Sequence, residues 1–141
     1  MIQLIIGEKG KGKTKVLLDR ANEQIKNVNG NIVYLDKSKQ HMYELNNKVR
    51  LIDVKNYPID NRDTFLGFLC GIISQDNDLE QMYLDSFLTL TRLDEQGGDV
   101  EETLERIDRI STCYHVDFVI SISITRDQVP AKFVDSIISE L

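Results

Sequence analysis

Eight consecutive residues carry the clearest chemistry in this chain: Gly7-Glu8-Lys9-Gly10-Lys11-Gly12-Lys13-Thr14. A glycine, four free positions and then Gly-Lys-Thr is the spacing with which backbone wraps a phosphate chain. Gly7 and Gly12 let the chain turn sharply and bring its N–H groups against oxygen without a Cβ in the way. Lys13 supplies a point charge for the β- and γ-phosphates, and the Thr14 hydroxyl supplies a ligand for a bridging Mg²⁺. Lys9 and Lys11 are further cations that either assist the anion or stay solvated. The whole segment from Gly7 to Thr14 is therefore the candidate binding loop.

The flanking elements suit that use. Ile2–Ile6 is an apolar strand of five residues, and Val16, Leu17, Ala21, Ile25 and Val28 recur at helical spacing behind the loop. A loop between a strand and a helix puts the positive helix end at the anion. Further on, 31–35 and 49–54 read as strands, 60–75 as a helix apolar almost all round, and Gln81–Leu84 as a fourth strand. Phe87–Thr91 either extends that strand or opens a loop. Asp99 with Glu102 caps a helix bearing Val100, Leu104, Ile107 and Ile110, and 116–124 is the most strand-like stretch. Phe133, Val134, Ile137, Ile138 and Leu141 predict a closing amphipathic helix. Gly67 and Gly71 predict a close helix contact. Strands alternating with helices predict one α/β domain over residues 1–141: three layers, with about five mainly parallel strands between helices on both faces.

The loop in this context resembles the P-loop NTPase superfamily. Through Gly7–Thr14, Asp36-Lys37, Gly67-Phe68 to Ser74 and Tyr83-Leu84-Asp85, the chain is also similar to short bacterial P-loop proteins often labelled as twitching-motility, PilT-type ATPases. Pilus-retraction ATPases carry an additional N-terminal domain and acidic and histidine boxes that are not found here, so nothing ties this chain to pili. The superfamily resemblance implies Mg-ATP as ligand and an acidic residue at the end of an apolar strand that holds the metal through water. Asp85 after Met82-Tyr83-Leu84 is the first candidate, Asp53 after Leu51-Ile52 the second, and Asp94-Glu95 the third. Lys13 and Asp85 are thus the implied catalytic pair, with Thr14, Asp85 and Asp53 as metal candidates.

Hydrolysis also needs a group that activates water. Ser86 stands after Asp85 where many ATPases have a glutamate, so the usual base is absent there. Arg126, beyond the last predicted strand, is a candidate contact to the phosphates or base because ligands in such sheets lie past the strand carboxyl ends. Thr125-Arg126-Asp127 lacks the lysine and spacing of a guanine-specificity motif, which favours ATP over GTP. Three functions stay open: a slow or partner-stimulated ATPase, a nucleotide-responsive or inactive interaction module, and a small-molecule or nucleotide kinase.

With 17 Lys and Arg against 23 Asp and Glu, the net charge is −6, which disfavours nucleic acid as a partner. No run is long and apolar enough to predict a membrane span. Ile2–Ile6 is too short for a signal segment. Cys70 and Cys113 form no metal spacing with His41 and His115 and are expected to be buried thiols in a reducing cytoplasm.

Overall fold

The computed structural model describes residues 1–141. The strands are β1 (Ile2–Ile6), β2 (Asn31–Asp36), β3 (Arg50–Asp53), β4 (Leu79–Leu84), β5 (Asp117–Ile122) and β6 (Ile137–Glu140). The helices are α1 (Lys13–Gln24), α2 (Arg62–Ser74), α3 (Phe87–Leu90), α4 (Leu93–Gln96) and α5 (Val100–Tyr114). All six strands run parallel in the order β3-β2-β4-β5-β1-β6. Strand β5 lies between β1, which leads into the glycine loop, and β4, which leads into Asp85. Every loop that follows a strand therefore leaves from one edge of the sheet.

Alternate residues along each strand go to opposite faces. On one face Ile5, Ile32, Tyr34, Tyr83 and Val119 pack with Leu17, Leu18 and Ala21 of α1. On the other, Leu4, Ile6, Leu35, Leu84, Phe118 and Ile120 meet Phe65, Leu69, Leu104 and Ile107 of α2 and α5. The second face holds the larger core, which is why α2 is apolar on more than one side. Its start is fixed by Asn61, whose side chain accepts from the Thr64 N–H, and that of α5 by Asp99, which accepts from Glu102.

Several expectations change. The sheet has six strands, not five. The closing helix is replaced by a 3₁₀ turn (Ala131–Ser136) and β6, because the open edge of β1 satisfies the backbone: the Leu141 N–H donates to the Ile6 carbonyl at 2.9 Å. The repeat that read as helical also fits a strand, with Ile137 half-buried and Ile138 exposed. Phe87–Leu90 is a short helix. A Cβ at Gly67 or Gly71 would touch nothing within 4 Å, so neither makes the expected close contact. Cys70 and Cys113 are both exposed. No helix is long and apolar enough to cross a membrane.

Gly30, in contrast, is sterically obligatory. Its N–H is held by the Glu80 carboxylate, and a Cβ there would run into the Asp78 carbonyl, whose oxygen accepts from Asn31 N–H at 2.7 Å. Gly30→Ala is expected to cost about 2 kcal/mol by forcing β2 and β4 apart at their entry. Urea titration with an unchanged m-value would report it, and a cost below about 0.5 kcal/mol would refute the steric account.

Candidate functional site

The loop after β1 takes the conformation its glycines allow. Gly12 stands at φ 93°, directly before α1, and Gly7 at φ 150°, where a Cβ would lie 2.8 Å from the Leu141 carbonyl oxygen. Lys13 begins α1 and folds back along the loop, its ammonium donating to the Glu8 carbonyl at 2.8 Å. Only 8% of Lys13 is exposed. Burial lowers its pKa, with Asp85 opposing.

Three aspartates end neighbouring strands in one row: Asp53 on β3 aligns with Asp36 on β2, and Asp85 follows β4 one step beyond the Leu35–Leu84 pair. By strand alternation all three share the α1 face. Asp85 is 2% exposed and accepts from the Thr14 hydroxyl at 3.1 Å, the Ser121 hydroxyl at 2.9 Å and the Tyr34 hydroxyl at 2.9 Å. Burial and this bond to Asp85 keep the Tyr34 phenol protonated far above its usual range. Ser121 also accepts from the Ser86 N–H at 2.8 Å, which locks the chain as it leaves β4 through a left-handed residue, Ser86 at φ 63°.

Asp36 is likewise 2% exposed, but only its Oδ1 is bonded, to the Lys37 N–H at 2.7 Å; Oδ2 is buried without a partner. Burial, and then the neighbouring Asp85, push its pKa up to about 6.

Above these groups opens a cleft of about 430 Å³. Lys9, Gly10, Gly12, Lys13, Thr14 and Asp85 line it, joined by Asp94, Lys37 and Ser123. Gly7, Glu8 and Lys11 border a smaller crevice of about 140 Å³ towards Ile124 and Thr125. Two candidates stay apart from the cleft. Arg126 is paired with Glu140 at 2.9 Å, and Asp53 caps the turn after β3 by accepting from the Lys55 N–H at 3.1 Å. Tyr34 and Ser121, which hold Asp85, were not singled out by the linear pattern, and Asp36 was named there only as a strand end. The signal for Ser121 was a lone serine inside the apolar run Phe118–Ile122.

No protein-family model matches this sequence, and neither does any curated protein. Among solved structures, the chain is similar to the flagellar accessory protein FlaH from Methanocaldococcus jannaschii, with a TM-score of 0.60 and 16% identity. The match covers 95% of this chain and 65% of FlaH, so the chain spans about two thirds of that protein's length. At this identity the likeness shows the fold alone: an all-parallel, six-stranded α/β sheet with helices on both faces.

Proposed function

We propose that this chain binds a nucleoside triphosphate, ATP in preference to GTP, together with Mg²⁺ through Gly7–Thr14 and Asp85. It then hydrolyses the nucleotide slowly, or when a partner completes the site. The single observation that carries the reading is the 3.1 Å bond from Thr14 to Asp85 at the base of the glycine loop. The hydroxyl spends its proton on the carboxylate and keeps its lone pairs for a metal.

The donor set fits magnesium. The side chains are oxygen donors, and no three His, Cys, Asp or Glu groups converge into a cage, which suits an ion that keeps its waters and takes phosphate oxygens as ligands. When bound, Mg²⁺ neutralises charge on the β- and γ-phosphates. Lys13 leaves the Glu8 carbonyl for those phosphates, while Ser121 and Tyr34 hold Asp85 in position. Asp36, whose Oδ2 is buried and unpartnered outside the cleft lining, is the candidate acceptor for the proton of the attacking water once that oxygen is opened to the cleft, the role that Ser86 cannot fill.

Titration with a fluorescent ATP analogue is expected to give affinity about tenfold tighter with Mg²⁺ than with EDTA. Binding that is absent, or indifferent to the metal, would overturn the assignment. A nucleotide-responsive interaction module is the second reading, favoured by the missing glutamate after Asp85. Multiple turnovers of phosphate release by the isolated chain would exclude it.

A further inference from the structure

A second cleft, about 260 Å³ in volume, adjoins the phosphate cleft and shares Lys37 and Thr89 with it. Its floor is apolar, formed by Val54, Ile59 and Leu90, each less than a tenth exposed. Its rim carries Lys37, Lys55 and Arg92 against a single carboxylate, Asp60. This is a net positive mouth on a chain of net charge −6. Neither lysine has a salt-bridge partner.

Arg92 is held there at a cost. It adopts φ 65°, a left-handed conformation that Asn or Gly takes more readily, and its Nε is buried with no partner. Its only ion pair, to Glu95, is long at 3.5 Å. Thr91, fully buried and donating to the Phe87 carbonyl at 2.8 Å, and Leu93, 8% exposed, fix the turn on both sides. A second tie comes from Gln96, which donates to the Asp60 carbonyl at 2.7 Å and joins α4 to the opposite rim. The strand order sets the location: β2 and β3 lie on the far side of Asp85 from the glycine loop, so this cleft adjoins the first one on the side away from β1.

We propose that the cleft holds a second, compact ligand at the same time as the nucleotide. The ligand is a small molecule with an oxyanion, phosphate monoester or carboxylate, on an apolar body. Lys55 and Arg92 take the oxyanion, the Val54, Ile59 and Leu90 floor takes the body, and Lys37 bridges to the terminal phosphate. The inference rests on the nucleotide-binding reading only for what lies next to the ligand; the cleft and its cations stand without it.

Phenyl phosphate and benzoate are the probes, titrated by ligand-observed NMR into the full chain with and without saturating Mg-AMPPNP. Saturable binding of either one is expected, noncompetitive with nucleotide. It should weaken about tenfold in the double variant Lys55→Gln/Arg92→Asn, while nucleotide affinity stays within about threefold. Asn suits the left-handed turn, so the variant is expected to melt at or above the parent; Lys55→Glu alone, on an exposed turn, is the independent check. Which probe binds identifies the oxyanion. No binding of either probe, binding unchanged in both variants, or displacement by the nucleotide would each overturn the proposal. Probe binding to a chain that fails to take up nucleotide would instead overturn the function proposed above and leave the second site standing.

Discussion

Replacing Lys13 by methionine is expected to weaken nucleotide binding on the order of 100-fold while leaving the nucleotide-free protein as stable as the parent, or more so. The two halves come from one observation. The residue is 8% exposed, and the ammonium's one hydrogen bond is to a backbone carbonyl, that of Glu8. With nucleotide it gains charge-assisted bonds to two phosphates, each contributing roughly 1.5–3 kcal/mol, and a 100-fold loss corresponds to about 2.7 kcal/mol. Without nucleotide the charge is a burden. Burial lowers the lysine's pKa in the folded protein below its unfolded value. The folded state therefore disfavours the proton, and the penalty is in force at neutral pH. It is relieved as pH rises through the lowered folded value towards the unfolded one. Methionine has similar length and no charge, so it removes the penalty. Fluorescent-nucleotide titration and thermal melts of the empty protein measure the two halves separately. An unchanged affinity would remove Lys13 from the phosphate site, and a melting temperature many degrees lower would make it a structural residue instead.

How far the site was legible follows from how local its parts are. Gly7–Thr14 could be read in full because one contiguous turn carries it, and the strand before it and helix after it announce themselves by period. Asp85 was readable as a strand end. Its partners were not, because Tyr34 and Ser121 reach it across β2 and β5, and only the register of the strands decides which residues meet. The same limit explains Asp53 and Arg126. Each follows the carboxyl end of a strand, but β3 is the outermost strand, and Glu140 on β6 is near enough to claim the arginine. Strand β6 went unseen for a related reason: its residues fit a helical repeat, and the otherwise unpaired edge of β1 that recruits them lies at the opposite end of the sequence.

Asp36→Asn is expected to stabilise the protein and to slow it. In the folded state Asp36 is a carboxyl with one oxygen bonded to the Lys37 N–H, the other unsatisfied, and Asp85 beside it. Its pKa of about 6 lies above the unfolded value, so folding favours the protonated form. The sign is therefore the reverse of the usual salt-bridged aspartate. A destabilising contribution is complete above pH 6, shrinks as pH falls from 6 towards 4, and is gone below the unfolded value. A rise of this size corresponds to about 3 kcal/mol at neutral pH, with local relaxation reducing it to about 2. The asparagine carbonyl keeps the bond from Lys37 and carries no charge. The gain in Tm is expected to be about 5 to 10 °C at pH 7.5 and to fall to a degree or two near pH 4. His41 and Lys37 also face Asp36, so substituting them should move the midpoint of this pH dependence without removing it. Turnover should move the other way. If Asp36 takes the proton from the attacking water, the variant loses about 100-fold or more in phosphate release while nucleotide affinity stays near that of the parent. A variant that is neither stabilised at pH 7.5 nor slowed would show that burial does not penalise this carboxylate and that the base lies elsewhere. A stabilised variant with undiminished turnover would keep the electrostatic account and exclude the catalytic one. The pH dependence of stability thus measures the electrostatic cost of this carboxyl without any nucleotide present, and turnover tests its catalytic role separately.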